Sequence, residues 1–418
     1  MSIIDTFGSY VSSLSDNHPK AARTLLKTGW QLQGFKFSHF PDKRLIPSDR
    51  YLASLMMDTM SAPLKSPEKS VIVSIFMPCE IIEEAGLVPY DVEGMSCYIS
   101  ASRADKIFNI EAMDAGIPDT LCSYHRTFIG AAYKGLLPTP KFIAYTNLIC
   151  DANMLTFKTL ADYYGVPSFY VEVPKDRSDA SVRLVADELR EMKSFVEKCT
   201  GQKIDDAAVG KRVERSKRTL ELFASARKAR KNKCVITDIV SPMYLAITNN
   251  ILLGTKGEEN YVNMLLNDVR LAGPKKGKHI YWMHTIPYWS DAVKKSLWFN
   301  ENAQIVGDEL ADAINPDFDS SDPYEAMAHR MVYNNINGDA MNRIQAGIRH
   351  AKETGADGVV WFNHWGCKHT IGSSLLAKKE FERAGLPLLI LDGDGCDRSH
   401  GGEGQTATRL EAFLEMLD

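Results

Sequence analysis

The sequence of 418 residues lacks several features by which a protein class is commonly recognised. No unbroken apolar stretch is long enough to span a bilayer, so no membrane contact is expected. The formal net charge is only −4, without the basic excess of a general nucleic-acid binder. The N-terminus has no basic region followed by an apolar core, which predicts no secretory signal and a cytoplasmic location.

The common nucleotide and metal motifs are also missing. There is no G-x-x-x-x-G-K-S/T motif, and no G-x-G-x-x-G follows a predicted strand, so the chain is not expected to hydrolyse ATP. No C-x-x-C pair occurs, which disfavours a zinc ribbon or a thioredoxin-like dithiol. Eight cysteines are too sparse for a disulfide scaffold. In a chain without an export signal they are better interpreted as metal-binding, catalytic or inert.

What the sequence does contain is a recurring pattern in which an apolar run is followed by polar residues and a cysteine. The runs and their cysteines are residues 71–77 with Cys79, 142–149 with Cys150, 358–362 with Cys367, and 388–391 with Cys396. Short apolar runs of this kind predict buried strands. In open α/β sheets, ligands bind outside the carboxyl ends of the strands. The pattern therefore places four cysteines where a ligand is expected, and a fifth, Cys122, lies in a turn-like stretch.

The order of predicted elements indicates the fold class. Further strands are predicted at 87–90, 167–174, 280–283 and 303–306, with helical segments between the strands. Alternation of this kind is typical of doubly wound parallel α/β sheets. We predict an N-terminal helical segment over 1–68, a first Rossmann-like domain over 69–201, and a second Rossmann-like domain with a linking helix over 202–418. The site is expected in the cleft between the two domains.

Two helical segments carry specific expectations. Ser181 is predicted to cap a helix that runs to Lys198, and five apolar residues at helical spacing are expected to face the core. These residues are Val182, Val185, Leu189, Met192 and Val196. Residues 211–233 form a strongly basic segment that is interpreted as a solvated helix between domains, with a docking surface for an acidic partner as the alternative.

Residue patterns alone leave the role of the cysteines open. A cysteine is ordinarily a small buried hydrophobe, and Cys199 is expected to be inert in this way. Iron–sulfur clusters are held by thiolates that need not be close in sequence. Local spacing does not distinguish such a cluster from a cysteine nucleophile. The glycine-rich stretches 393–395 and 401–404 are interpreted either as tight turns or as loops whose N–H groups face an anion or sulfide.

Taken together, five motifs resemble one known family. The motifs are Met77-Pro78-Cys79-Glu80-Ile81, Leu121-Cys122-Ser123-Tyr124-His125, Ile149-Cys150-Asp151-Ala152-Asn153, Asn363-His364-Trp365-Gly366-Cys367-Lys368 and Asp392-Gly393-Asp394-Gly395-Cys396-Asp397-Arg398. They resemble the 2-hydroxyacyl-CoA dehydratase D-component family from about residue 70 to the C-terminus. Within that family they look most like the double-cubane cluster proteins.

The resemblance implies a set of cluster ligands. Dehydratase subunits of the family hold one [4Fe–4S] cubane through three cysteines, which by motif position look like Cys122, Cys150 and Cys367. The double-cubane relatives hold two cubanes joined by a sulfide, an [8Fe–9S] cluster that needs six cysteines. Cys79 and Cys396 fit two of the additional positions.

The sixth cysteine is open between two candidates. Cys97 is close in sequence to Cys79 and is preferred, with a half-buried strand thiol as its alternative. Cys234 opens an apolar run and is explained equally by packing.

The function that the resemblance implies is that of an oxygen-sensitive iron–sulfur reductase component, working anaerobically as a homodimer. It would receive low-potential electrons from a separate ATP-dependent iron–sulfur reductase and reduce a small-molecule substrate. The alternatives are a 2-hydroxyacyl-CoA dehydratase subunit with one [4Fe–4S] cluster, a non-enzymatic electron-transfer or cluster-carrier protein, and a catalyst that does not use its cysteines, whose thiols only pack. Lys368 and Glu403 are candidate proton donors, and His125 is a further candidate catalytic residue. His125, His364 and His369 are candidates for hydrogen bonds near the ligands, with a surface or packing role as the alternative.

Overall fold

The computed structural model describes residues 2–400 and 402–417. Within these residues the strands are β1 (Ser70–Val73), β2 (Val88–Asp91), β3 (Ile143–Thr146), β4 (Ser168–Val171), β5 (Lys233–Cys234), β6 (Gly273–Pro274), β7 (Lys278–Met283), β8 (Ala303–Asp308), β9 (Gly358–His364) and β10 (Leu388–Gly393). Single 3₁₀ turns occur at Pro67–Lys69 and Arg398–His400.

The helices of the same residues surround these strands. They are α1 (Ile3–Asn17), α2 (Pro19–His39), α3 (Pro47–Lys65), α4 (Glu80–Glu84), α5 (Val92–Ala101), α6 (Asp105–Asp114), α7 (Ser123–Tyr133), α8 (Ala152–Tyr164), α9 (Asp179–Thr200), α10 (Asp206–Ala229), α11 (Val240–Ile251), α12 (Lys256–Leu271), α13 (Asp291–Leu297), α14 (Pro323–Val332), α15 (Ala340–Thr354), α16 (Lys368–Ile371), α17 (Ser374–Arg383) and α18 (Glu403–Met416). Across the described part of the chain, no helix has the length and apolar character needed to cross a membrane.

Two parallel sheets carry the fold, and they share one strand order. The first sheet has the order β2-β1-β3-β4 and the second the order β10-β9-β7-β8. In each sheet, therefore, the first strand along the chain pairs with the second and the third, and the third pairs with the fourth. All six pairings are parallel. The predicted α/β class is confirmed, and the architecture is consistent with two Rossmann-like domains.

The central strands are apolar because helices cover both of their faces. Every residue of β1, β3 and β9 is buried, which is the pattern expected of strands inside a parallel sheet. Trp282 and Phe362 pack on one face of the second sheet, and Tyr281 and Trp361 pack on the other. Burial on both faces fixes these strands, and their carboxyl ends are thereby held at defined positions.

The largest hydrophobic cluster surrounds the first sheet and extends well beyond residue 201. It includes Leu26 and Met56 from the N-terminal helices, together with Val213 of α10, Tyr261 of α12 and Met327 of α14. Helices that follow the predicted linking position thus contribute their apolar faces to the core around the first sheet. The boundaries at residues 68 and 201 remain predictions.

Helix α9 shows where the sequence pattern was right and where it failed. All five residues expected to face the core are buried. The cap is Ser178 rather than Ser181, and its side chain accepts a hydrogen bond from the Ser181 N–H at 3.3 Å. Ser178 has extended backbone angles, φ −138° and ψ 160°, as a capping residue requires. The predicted cap was therefore wrong by three positions.

Candidate functional site

The carboxyl ends of strands from both sheets open onto a cavity of about 370 Å³. The lining includes Phe76, Glu93, Cys97, Ile149 and Cys150, which follow strands of the first sheet. From the second sheet it includes Asp308, the last residue of β8, and His284, Gly366 and Cys367, which follow strands. Ligands of open α/β sheets bind where the strand order reverses. Here that point lies between β1 and β3 in one sheet and between β7 and β9 in the other, and both border the cavity.

Three cysteines from distant parts of the chain meet at this cavity. Cys122, Cys150 and Cys367 all line it, and each is a free thiol. Burial raises the pKa of the Cys122 thiol, and charge on Cys150 and Cys367 raises it further. Burial likewise raises the pKa of Cys150, followed by the charges of Glu93 and Cys367. The thiols are thus close enough to oppose one another's ionisation, and a bound cation would relieve this repulsion.

Helix starts position the cysteines. Cys122 directly precedes α7, and its carbonyl accepts a hydrogen bond from the Arg126 N–H at 3.1 Å. Cys150 lies two residues before α8, and its carbonyl accepts from the Asn153 N–H at 3.3 Å. The N-terminal end of a helix favours negative charge, which lowers the cost of a thiolate there. The backbone N–H groups at these helix starts thus offset part of the rise in thiol pKa that burial causes.

Each of the three thiols has a histidine partner. The Nε2 atoms lie 3.1 Å from the sulfur for His364 and Cys122, 3.5 Å for His125 and Cys150, and 3.2 Å for His284 and Cys367. Sequence analysis identified His125 and His364 as candidates for such contacts. It missed His284, although the position of His284 directly after a buried strand was an available signal.

Cys367 is also connected to a buried ion pair. The Thr370 hydroxyl lies 3.2 Å from its sulfur, and Arg343 donates to the Thr370 oxygen at 3.2 Å. Arg343 forms an ion pair with Glu309. The Glu309 carboxylate also accepts a hydrogen bond from the backbone N–H of His284 at 3.0 Å. One ion pair therefore supports two groups that touch Cys367. No local motif marks this network, because its members come from four separate segments.

The remaining predicted ligands differ in how close they come to the cavity. Cys97 lines it but lies on helix α5, so its alternative as a strand thiol was wrong. Cys396 is fully buried and absent from the lining, with its sulfur 3.7 Å from the carbonyl oxygen of Ser96. Burial raises the pKa of Cys396, and charge on Cys97 is the next cause. Cys396 is therefore the neighbour of Cys97 behind the cavity wall.

Cys79 and Cys234 lie away from the cavity. Cys79 is fully buried, and its thiol donates to the Met77 carbonyl at 3.3 Å. Burial raises its pKa, and the charge of Glu83 is the next cause. Cys234 accepts a hydrogen bond from Gln304 at 3.2 Å in the short β5 strand. Neither is among the described residues that line the cavity.

Of the predicted catalytic residues, two lie at the cavity and one does not. Lys368 is exposed at the cavity, and His125 lines it from a buried position. The Glu403 carboxylate instead accepts from the Ser290 hydroxyl at 3.0 Å and from the Ala292 N–H at 2.8 Å. That carboxylate stabilises the start of helix α13, and it does not reach the cavity among the described residues.

Glu93 is an acidic group that sequence analysis did not identify. It lines the cavity, and one of its oxygens lies 3.8 Å from His125 Nε2. Burial raises the pKa of Glu93 to about 8 and lowers that of His125 to about 4. Burial therefore favours the protonated carboxyl group of Glu93 and the neutral imidazole of His125.

The positions of the donor atoms bear on the kind of metal group that the cavity fits. Among the described residues, no three His, Cys, Asp or Glu side chains converge on a position for a single metal ion. The three free thiols are instead distributed around a shared space. Thiolates that hold a cluster of several iron atoms are arranged around it in this manner. The three thiols at this cavity are thus compatible with a polynuclear group.

These features define a parallel α/β protein with a thiol-lined cavity at the strand ends. The chain belongs to the family of the 2-hydroxyglutaryl-CoA dehydratase D-component, whose profile matches residues 74–417. The family predicted from the motifs is therefore confirmed.

Three curated relatives are similar over most of their length. The chain is 22% identical to the (R)-phenyllactyl-CoA dehydratase beta subunit of Clostridium sporogenes in an alignment of 365 residues that covers 82% of this chain and 90% of the relative. It is 22% identical to the alpha subunit of the same enzyme over 364 residues, 81% of this chain and 87% of the relative. It is 20% identical to the (R)-2-hydroxyisocaproyl-CoA dehydratase alpha subunit of Clostridioides difficile over 367 residues, 82% and 89% of the two chains.

Proposed function

We propose that this chain is an iron–sulfur redox component in which Cys122, Cys150 and Cys367 hold a [4Fe–4S] cubane. The observation that carries the proposal is the convergence of these three free thiols on one cavity, each with a histidine nitrogen at its sulfur. When bound, such a cluster supplies electrons at low potential. The largely apolar cavity wall would limit access of water to it.

In the finer form of this proposal the chain is a double-cubane reductase with an [8Fe–9S] cluster. Cys97 at the cavity and Cys396 directly behind it support additional ligands beside the first three. Cys79 is the remaining ligand of the proposal, and it would have to approach from its buried position next to the strand β1 exit. Electrons would come from a separate ATP-hydrolysing iron–sulfur protein, since no phosphate-binding motif occurs in this chain.

The substrate of the finer proposal is a small molecule with an unsaturated or N–N bond, and the active form is a cytoplasmic homodimer. Reduction of one double bond consumes two electrons from the reductase and two protons. Lys368, at the exposed side of the cavity, would supply protons, and His125 would hold the Cys150 thiolate. Glu403 is not given a proton-donor role in this proposal, because its carboxylate accepts hydrogen bonds at the start of α13.

A second function is favoured by the relatives, whose names are those of dehydratase alpha and beta subunits. In that case the chain holds one cubane on Cys122, Cys150 and Cys367. A single electron would pass to a 2-hydroxyacyl-CoA thioester, water would be eliminated, and the electron would be returned. The position of Cys79 away from the cavity lining supports this simpler ligand set. A partner subunit would then be required.

Iron and sulfide analysis of anaerobically purified protein distinguishes the two functions. The double-cubane reductase should contain about eight iron atoms per chain, and a dehydratase subunit about four. ATP-dependent reduction with an added reductase should accompany the first result, and water elimination with a partner subunit the second. Eight iron atoms without turnover would indicate an electron carrier, and protein purified without iron would refute the proposal. ATP hydrolysis by the purified chain alone would contradict the assignment of ATP to a separate protein.

A further inference from the structure

Two of the three histidines at the thiols have a fixed tautomer. The Gly395 backbone N–H donates to Nδ1 of His364 at 3.0 Å, and the Thr285 backbone N–H donates to Nδ1 of His284 at 2.6 Å. A backbone N–H is only a donor, so each Nδ1 must be an acceptor without a proton. The proton of each neutral ring is therefore on Nε2.

The protonated nitrogen of each ring is the one that faces sulfur. His364 Nε2 lies 3.1 Å from Cys122 and His284 Nε2 lies 3.2 Å from Cys367. Both nitrogens of each ring are thus engaged, so a ring flip would lose two hydrogen bonds. The His364 ring also packs against Tyr124, with ring centroids 5.2 Å apart. The two N–H groups are therefore aimed at their thiols before any ligand binds.

His125 does not share this property. Its Nδ1 lies 2.9 Å from the Thr156 hydroxyl, which is able either to donate or to accept. His125 Nε2 faces Cys150, but no backbone group of the described residues fixes whether that nitrogen carries the proton. No fixed Nε2–H is therefore assigned to His125.

We infer that His284 and His364 are positioning residues whose Nε2–H groups orient the thiolates of Cys367 and Cys122 and raise the reduction potential of the cluster bound there. An N–H donor stabilises negative charge on sulfur, and the reduced cluster carries one more electron than the oxidised one. The donor thus favours the reduced form. The inference rests on the proposal that these thiolates hold iron, and it applies to the single and the double cubane alike.

The test compares His364→Met with His364→Gln, and His284→Met with His284→Gln, in the full-length holoprotein. Methionine removes the donor, whereas the glutamine amide restores an N–H near the Nε2 position. The measurements are iron per chain and the midpoint potential from an anaerobic redox titration followed by electron paramagnetic resonance. His369→Met is the matched control. His369 lines the same cavity, but the histidine nitrogen at the Cys367 sulfur belongs to His284 in the described part of the chain.

The methionine variants should keep iron but titrate at lower potential. At the wild-type midpoint, their ratio of reduced to oxidised cluster should fall on the order of tenfold, since a hydrogen bond to a charged group is lost. The glutamine variants should recover most of this shift, and His369→Met should shift less than either methionine variant. If a methionine variant loses iron, recovery of iron by glutamine supports the role of the donor, and equal loss in both variants contradicts it.

The experiment distinguishes a failure of the histidine inference from a failure of the iron proposal. Iron-replete methionine variants with wild-type potentials would overturn this inference and leave the iron proposal intact. Wild-type protein without iron would instead overturn the proposed function.

Discussion

Gly366 lies directly against the main chain of Cys122. A Cβ atom added to Gly366 would be 2.6 Å from the Cys122 nitrogen, and Gly366 has a φ of +85°. Side chains larger than hydrogen are disfavoured by both the space and the backbone conformation. The loops that carry Cys122 and Cys367 are therefore able to touch because this position is glycine.

Gly366→Ala should reduce the iron content of the purified protein. The added methyl group must push the Cys122 loop away, because the atoms it meets belong to the backbone and do not rotate aside. We also expect a loss of stability of about 1–3 kcal/mol from the backbone conformation and the clash. Iron per chain and the midpoint of thermal unfolding, both measured anaerobically, check these expectations.

Gly385→Ala is the matched control for this variant. Gly385 has a similar φ of +74°, but an added Cβ would meet nothing within 4 Å. This variant should show a cost of about 1–2 kcal/mol from backbone strain and a full complement of iron. Equal iron content in the two variants would show that close approach of the loops is not needed for iron binding.

Cys367→Ala should lose most of the iron and the visible absorbance of the cluster. Cys367 is the thiol with the most polar support, from His284 and Thr370, and it lines the cavity. Cys199→Ala, a change near the end of helix α9, should retain wild-type iron. Full retention of iron in Cys367→Ala would remove this residue from the set of essential ligands.

Alanine variants of Cys79, Cys97, Cys234 and Cys396 should resolve the second cubane. If the double-cubane proposal holds, Cys97→Ala and Cys396→Ala lower the iron content by about half, and Cys234→Ala does not. Cys79→Ala is the critical member, because Cys79 lies outside the cavity lining. Wild-type iron and spectra in Cys79→Ala, Cys97→Ala and Cys396→Ala together would reduce the protein to a single-cubane subunit.

Arg343→Met should destabilise the protein by about 3–5 kcal/mol, because it leaves the Glu309 carboxylate buried without its partner. The hydrogen bond to Thr370 is lost as well, so iron binding should also weaken. Arg383→Met is the control, since Arg383 forms an exposed ion pair with Glu380 and its loss should cost less than about 1 kcal/mol. Urea unfolding measures both. Equal small effects would mean that the buried pair contributes no net stability.

Asp49 should make stability depend on pH. Burial raises the pKa of Asp49 to about 7, although the hydrogen bond from Thr237 lowers it in part. An unfolded aspartate has a pKa of about 3.9, so the stabilising contribution of the protonated form is complete below pH ~4 and is lost as pH rises through ~7. Asp49 alone should lower the free energy of unfolding on the order of 1–4 kcal/mol across that window.

Asp49→Asn should remove the part of the pH dependence that Asp49 contributes, because asparagine stays neutral and still accepts the hydrogen bond, whereas the part from Glu93, whose pKa is also raised, remains. Asp58→Asn on the same helix is the control, since the Asp58 side chain is 72% exposed and should leave the dependence unchanged. Denaturant unfolding at a series of pH values measures the difference. A wild-type slope in Asp49→Asn would assign the dependence to another group.

The sequence predicted the eight strands of the two main sheets because each is a short apolar run. It was less accurate at strand ends. The first strand was predicted over 71–77 but ends at Val73, and Met77 N–H instead donates to the Ser74 carbonyl in a buried turn. Apolar character continues through that turn, so hydrophobicity alone does not mark where strand pairing stops.

The site could be predicted only in part, because its contacts are long-range. The cysteines were found through their positions after strands, but the pairing of Cys122 with His364 joins residues 242 apart in sequence. Cys97 was given a strand alternative, whereas Asp91 caps a helix there by accepting from the Gly94 N–H at 2.6 Å. Such capping depends on backbone geometry, which a short apolar segment does not reveal.

The separation of 242 residues between Cys122 and His364 also sets an order of events during translation. At typical elongation rates, His364 leaves the ribosome roughly 10–50 s after Cys122. During that interval the nascent chain presents Cys122 and Cys150 while Cys367 and His364 are still missing. If the proposed cluster ligands are right, metal delivered before Cys367 is synthesised would meet an incomplete binding site, and cluster insertion would have to follow the synthesis of the second sheet.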